Sequence, residues 1–583
     1  MSAQARRPSL GARVAELADL PHRRGAPRSR PDEDGSSPES CDVLVAGSGG
    51  AALTAAAAAL SAGATVMICE KGAVPGGTTA CSGGVAHIYA NHCMAEAGID
   101  DPRADALRYM ARVGYPTVYD PEAPALGLEA ADHAQLEAYY DRGAEVMARL
   151  AAIGAVRMEA PWRMWDGQAF PDYYEFPENK ARRGRGLQCM APDGGAGNGA
   201  ELVRQLVDFC TARGSEVRLG HRVVDLVVED GTVTGAVVDD GRVSRRVRAR
   251  GGVVFGSGGF AHNPELRHRF LRGPIGGGSG VPTNTGDLIS LAVRAGAELG
   301  GMHNGWWNQQ VVEALDDDAP SVLDVWSIPG DGMIVVNRFG VRVVDEKREY
   351  ETRGRAHHVF QGDEYVNRVL FMVYDQRTAE RFGGRYPIPP LGAVADHVVR
   401  AEGVEGLAEA LEERVRTRLP EVLPPGFGAV ALDGRFASTL RETISRFNGM
   451  AEAGRDDEFR RGTKAVEVAF HGPPASDHRL PNPLLHPLDA DGTLYVIALV
   501  GTTFDTNSGP RIDGEGRVLS PDGPVAGLYG AGNCVDSVFG EGYPGGGSTI
   551  GPGMVFGFLA GAHAAGRAGL AGRPAASAAP VTA

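Results

Sequence analysis

The chain has 583 residues, 43% of them hydrophobic and 22% charged, which is the balance of a soluble globular protein with room for two or three domains. A formal net charge of -15 argues against nucleic acid or an anionic membrane surface as the main partner, and no apolar run approaches the roughly 20 residues that span a bilayer. Seven cysteines, an odd number without a CxxC pair, predict a reducing, cytoplasmic setting with no disulfide framework and no metal site.

Residues 1–39 are rich in Arg, Pro, Ser and Asp and read as a disordered tail, with a short helix allowed around Ala12–Leu20. Arg6-Arg7 precedes no hydrophobic region, which argues against a twin-arginine export signal. Asp42 to Ala52 then reads as a buried strand, a glycine turn and an alanine-rich helix, and Thr65 to Glu70 as a second strand closed by a carboxylate. In that order these are the dinucleotide-binding fingerprint. Gly47 serves the tight turn, Gly49 admits a pyrophosphate, Ala52 lets helix and strand pack, and Glu70 can accept from a ribose. The helix N-terminus supplies free N–H groups for phosphates.

A loop of small residues follows, from Gly76 to Gly84. Helical periodicity predicts helices over Ala104–Val113 and Asp132–Ile153, the second with a capping box between Asp132 and Gln135. Pro161–Arg185 is aromatic and irregular, either a lid over a site or a packed surface loop. Ala200–Ala212 reads as a helix, and Val217–Arg248 as a β-meander with turns at Asp230-Gly231 and Asp240-Gly241. Gly252–Phe255 returns to a buried strand, followed by Gly256-Ser257-Gly258-Gly259.

The character changes near Pro274 to a mixed α+β region, with helices at Asp287–Ala297, Val404–Arg418 and Ala437–Ala453 and strands at Met333–Val336 and Val369–Tyr374. The last part returns to the first domain through the strand Gly527–Gly530 and the run from Tyr543 to Gly551, which leads into an apolar helix. The fold class is therefore α/β. A Rossmann-like domain with an inserted β-meander (40–273 and 485–570) holds an inserted α+β substrate, or capping, domain (274–484), and a flexible tail follows (571–583). A ligand site is expected where the two domains meet.

The motifs VLVAGSGGAA, EKGAVPGGTTACSGG, VVFGSGGFAHN, NTGDLISLAVRAGA, GLYGAGN and YPGGGSTIGPGMVFG, in this order, resemble the FAD-dependent fumarate reductase and 3-ketosteroid dehydrogenase superfamily from about Cys41 to Arg567. The resemblance implies FAD lying extended across the first domain, with Gly47, Gly49 and Gly50 at the pyrophosphate and Glu70 at the adenosine ribose. Gly77, Thr78 and Thr79 would run beneath the isoalloxazine and ribityl chain, with Asn284 and Asp287 nearby. Gly532, Asn533, Thr549 and Ile550 would cover the pyrimidine end, and the Val224 backbone would meet the adenine. Ser48, Ala51, Lys71, Gly76, Ser82, Gly83, Gly84, Ser257 and Gly258 complete the implied cofactor contacts. Pro75-Gly76-Gly77 stands where members with covalent flavin carry a histidine, so non-covalent FAD is implied.

Two branches of this superfamily differ at two positions. Where fumarate reductases carry a proton-transferring arginine this chain has Tyr350, and where they carry a substrate-clamping arginine it has Tyr543, within one residue. Guanidinium pairs suit a charged substrate and phenols suit a neutral ketone. The run YPGGGSTIGP is similar to that of the 3-ketosteroid dehydrogenases, which implies Tyr543 and the Gly547 N–H as carbonyl polarisers, Tyr350 as base, and Tyr173 or Tyr174 as its helper. A phenol is a weak base at neutral pH and needs a nearby cation, for which Arg348 and Arg353 are close in sequence.

The partner implied is a cyclic ketone, steroid-like or smaller, with an unknown electron acceptor. The rival is a fumarate- or enoate-type reductase using Arg348, Arg353 or Arg355 for a carboxylate, and a more distant alternative is a flavin-binding protein without turnover. Tyr350 taken alone could be a packing residue. His303, His357, His358 and His471 lack partners at ligand spacing and read as structural or solvated, Trp306-Trp307 as core or pocket wall, and Cys534 as packing.

Overall fold

The computed structural model describes residues 39–315 and 325–570. The tail before Glu39, the short helix near Ala12–Leu20 and the tail after 570 lie outside the described residues. A mostly parallel sheet forms around the strand Glu39–Ala46, whose Val43, Leu44 and Val45 are fully buried, as both-sided burial of an apolar run requires. Val66–Glu70 pairs parallel on one side and Ser244–Phe255 on the other, and Val217–Leu219 extends the first edge. Gly523–Gly530 lies beyond Ser244–Phe255, with Arg517–Ser520 antiparallel outside it.

The helix Gly50–Ser61 packs on the C-terminal helix Ile550–Ala565. A Cβ at Gly557 or Gly561 would collide with the carbonyls of Ala51 or Ala55, so these helices touch backbone to backbone. The last strand of the meander and the buried strand expected at Gly252–Phe255 are one element, Ser244–Phe255, which runs from the meander into the central sheet.

The second unit is an antiparallel sheet centred on the long strand Thr493–Thr506, which pairs with Gly305–Val311, Val369–Asp375 and Val398–Glu402; Met333–Val336 lies outside Val369–Asp375. Alternation sorts its residues into two cores. Ile334, Val336, Phe371 and Val373 meet the helices Gly403–Thr417 and Phe436–Ala453, while Met333, Val335, Met372 and Tyr374 face the opposite side.

Three expectations change. Strand Thr493–Thr506 belongs to the second sheet, so that sheet extends well past residue 485, where the return to the first domain was expected. The helix Asp287–Arg294 packs Leu288, Leu291 and Ala292 into the first core, although it follows the expected boundary at 274. The helix Ala130–Ala152 begins at Glu129 without a side-chain cap: Asp132 pairs with Arg511 at 2.6 Å, and Gln135 donates to the Ile512 carbonyl at 2.5 Å, so tertiary partners take both members of the capping box. Among the described residues all seven cysteines are free thiols, no helix is long and apolar enough to cross a membrane, and no cluster of His, Cys, Asp or Glu could hold a metal ion.

Candidate active site

One cavity of about 560 Å³ runs from the glycine turn of the first unit to the contact between the two units. At its first end Gly47 has φ +109°, and a Cβ there would collide with the Gly256 carbonyl, so this turn requires glycine. The helix that follows has Gly49 at its N-cap, no side-chain cap and no acid in its first turn. Its Gly50 N–H donates to Thr79 Oγ1 at 3.0 Å, and the cavity reaches Gly49, Gly50 and Ala51, the geometry that receives a phosphate. Glu70 is fixed at the wall by Ser48 Oγ (2.7 Å) and the Gly72 N–H (2.7 Å). Lys71 and Arg222 both pair with Asp287, at 2.9 and 2.8 Å. Burial raises the Asp287 carboxyl, but the two cations more than offset it and hold it below its ordinary value.

The other end is aromatic. The hydroxyl of Tyr173 donates to that of Tyr350 at 2.9 Å, and the Tyr543 ring stacks on Tyr173 (centroids 5.6 Å apart, 10°) and meets Tyr350 edge-on at 5.4 Å. Phe504 edges Tyr350 at 5.0 Å, and Trp306 edges Tyr543 at 5.1 Å. Phe470 packs against both Tyr173 and Tyr350. Burial, then the neighbouring phenols, lift the Tyr350 phenol well above its ordinary value. Burial pushes Tyr543 up to about 12, opposed by hydrogen bonding from Tyr350, Thr549 and the Gly547 N–H. Gly547 has φ +94°, and its carbonyl accepts from the His87 N–H at 3.1 Å.

The aromatic stretch 161–185 gives Trp162 and Tyr173 to the cavity wall and leaves Trp165 half exposed. Tyr173 N–H and Tyr109 OH both donate to the Pro544 carbonyl, at 2.9 and 2.8 Å, which locks the stretch to the glycine run. Behind it, fully buried Arg185 pairs with Asp101 at 2.6 Å and with Asp172. Trp162 stacks on Phe170 at 3.7 Å and faces the cavity.

Of the residues expected at the site, Tyr173, Tyr350, Tyr543, Gly547 and nearly all the cofactor residues line this one cavity. Three do not. Tyr174 turns away, stacking on Phe176 at 5.5 Å beneath the Arg348 guanidinium, because successive residues of an extended segment point to opposite sides. Val224 is replaced at the wall by His221, Arg222 and Val223. Gly76 lies behind the wall, its N–H donating to Ser48 Oγ at 2.9 Å.

None of Arg348, Arg353 and Arg355 lines the cavity. Arg348 and Arg355 pair with Glu349 and Glu351, both at 2.9 Å. Arg353, fully buried, donates to Gln309 and to the carbonyls of Arg348, Val325 and Trp326. Burial lowers its pKa to about 10, opposed by Glu349 and Asp345 and also by Tyr173 and Tyr350, which lie within its field. His303 pairs with Glu541 at 3.1 Å, burial lowers His357 to about 4 and His358 to about 3, and His471 is buried; none of the four lines the cavity.

Asp505, Phe504, Trp326 and Ser279 line the cavity without having been expected there. The signal for Asp505 was a run, Thr502 to Ser508, polar at every position but Phe504, at the end of a strand whose preceding residues are apolar.

A glycine-walled phosphate cradle running into an aromatic chamber is the site of a dinucleotide-dependent oxidoreductase, and the residues present fit FAD. A family model described as FAD binding domain matches residues 42–550, so the chain belongs to that family, has FAD as its cofactor and is an FAD-dependent oxidoreductase. It is 32% identical over 570 residues to the 4-oxocyclohexanecarboxylate 2-dehydrogenase of Sinomonas cyclohexanicum, covering 90% of this chain and 93% of that one. To the 3-oxosteroid 1-dehydrogenase of Mycolicibacterium smegmatis it is 30% identical over 603 residues, covering 89% and 96%. The solved 3-ketosteroid delta1-dehydrogenase from Sterolibacterium denitrificans shares its fold, with a TM-score of 0.75 at 24% identity over 91% of this chain and 100% of that one.

Proposed function

We propose that the protein catalyses the FAD-dependent α,β-desaturation of a cyclic ketone, a 3-ketosteroid or a smaller ring such as a cyclohexanone, with the flavin held non-covalently. The observation that carries this reading is the meeting of three phenols from distant parts of the chain, with Tyr173 and Tyr350 at 2.9 Å and Tyr543 packed on both. The names of the two relatives, a 4-oxocyclohexanecarboxylate dehydrogenase and a 3-oxosteroid dehydrogenase, support the substrate class.

In this reading the Tyr543 hydroxyl and the Gly547 N–H donate to the substrate carbonyl and stabilise the enolate that develops on it. Tyr350 removes the α-proton, and the Tyr173 hydroxyl donates to the Tyr350 oxygen as its charge forms. Fully buried Arg353, three residues after Tyr350, takes the part of the cation that a phenol base needs. FAD, when bound, supplies the two-electron acceptor for the β-hydride. The aromatic walls keep water from the ionised groups, which strengthens each of these interactions.

The fumarate-type alternative has less support, because the basic side chains lining the cavity, Lys71, His221 and Arg222, stand at its dinucleotide end and, among the described residues, no arginine lines its tyrosine end. The test is anaerobic mixing of the yellow enzyme with saturated 3-ketosteroids and cyclohexanones. Bleaching of the flavin is the expected result. Failure to bleach with every ketone, together with reoxidation of the reduced enzyme by fumarate, would overturn the reading.

A further inference from the structure

Strand Thr493–Thr506 carries Asp505 out of the second sheet and into the cavity floor, where the carboxylate is fully buried. It sits between the two ends of the cavity. Its neighbour Phe504 edges Tyr350, and Asn533, which donates to it, also accepts from Trp306 at 2.9 Å, the ring that edges Tyr543.

Every polar contact of this carboxylate is with a donor. Oδ2 accepts from the Gly259 N–H (2.7 Å), Asn284 Nδ2 (2.8 Å) and Asn533 Nδ2 (3.4 Å), and Oδ1 accepts from the Thr506 N–H (2.9 Å) and the Ala261 N–H (3.5 Å). A carboxylate only accepts, so it dictates which end of each carboxamide faces it. The second hydrogen of Asn284 Nδ2 goes to Thr78 Oγ1 at 3.0 Å, and that oxygen also accepts from the Val281 N–H at 3.2 Å. A hydroxyl that already accepts twice has only its own proton left to offer, and Thr78 lines the cavity. Glycines at 258, 259 and 280 make the space, because a Cβ at each would press on Asn284, Asp505 or Thr78.

We infer that Asp505 is a positioning residue for the cofactor: by fixing the carboxamide of Asn284 it makes the Thr78 hydroxyl a hydrogen-bond donor toward bound FAD, and it fixes the carboxamide of Asn533 beside it. Asn284 donates both to the anion and to Thr78, while Trp306 donates to Asn533 and Asn533 to the same anion, which ties the cofactor floor through Trp306 to the ring of Tyr543.

The test uses the purified holoenzyme and reads FAD affinity, the visible flavin spectrum and the thermal midpoint. Asp505→Asn has the same shape but places an NH2 among donors. It should weaken FAD binding about tenfold or more, the scale of a lost charge-assisted hydrogen bond, and shift the flavin bands. The swap Asp505→Asn with Asn284→Asp re-pairs donor and acceptor inside the protein and should recover the thermal midpoint. It should not recover the spectrum, because the carboxylate introduced at position 284 would then draw the Thr78 proton inward. Thr78→Val, which removes the donor directly, should reproduce the spectral shift with a lowered midpoint, because it also takes the acceptor from Asn284 Nδ2 and the Val281 N–H. An Asp505→Asn enzyme with normal FAD affinity and spectrum, a swap that restores both spectrum and midpoint, or a Thr78→Val enzyme with an unshifted spectrum would each overturn the inference.

Discussion

The two ends of the cavity obtain their polarity in opposite ways. The dinucleotide end uses backbone and full charges: a glycine turn, the free N–H groups of a helix, and Asp287 held between Lys71 and Arg222. The tyrosine end uses neutral phenols inside aromatic walls, with its nearest arginines withdrawn into contacts with protein carbonyls and carboxylates. A site for a permanent polyanion can keep permanent charges. A site that must create charge only during reaction is better served by groups that are neutral at rest and already aligned, since no water or side chain then has to reorganise.

That contrast can be broken most sharply at Tyr350. Tyr350→Phe should lower the rate constant of flavin reduction by a ketone about 10²–10⁴-fold, the span of a lost general base, while FAD affinity stays near wild type because the cofactor is held at the other end. A near-normal rate measured by stopped flow would remove Tyr350 as the base.

The pH profile sharpens the same point. The Tyr350 pKa lies above its ordinary value, raised first by burial, so the phenol is the dominant form at neutral pH. Below that pKa the phenolate fraction grows with pH, and the reduction rate should rise about tenfold per pH unit across the neutral and mildly alkaline range. A flat profile would mean that no phenol titrates in the step. The smallest effect belongs to Tyr174→Phe: it should change the reduction rate by less than about twofold, the null expected of a ring outside the cavity, since Tyr174 packs on Phe176 under Arg348.

The cofactor end was legible in the sequence because its chemistry is local. Turn, helix and closing acid lie within Gly47 to Glu70, and each small residue there answers to a backbone approach. Tyr543 was legible for a similar reason, standing just before a glycine run. Where a single step of alternation decided the outcome, local reading ran out: Tyr173 and Tyr174 differ only in which side of an extended segment they face. Sequence closeness named both Arg348 and Arg353 as cations for the phenol, and only tertiary packing separates them, Arg348 pairing with Glu349 and Arg353 buried against Gln309 and three carbonyls. Strand Thr493–Thr506 was assigned to the wrong side of a boundary because a long apolar strand carries no mark of the sheet it will join, and its pairing with Val369–Asp375 spans more than a hundred residues of sequence.

That strand has a consequence for modular exchange. It is the central member of the second sheet and, in its last residues, the floor beneath the cofactor, so the two units share a piece of backbone rather than a hinge. A graft of a new second unit cut at residue 485 would separate the sheet from its own middle strand. One cut after residue 506 would carry Asp505 along with the transplanted unit. The second sheet and the floor of the cofactor cavity are inherited together in this architecture, and a chimera that exchanges the sheet whole also receives a new floor for that cavity.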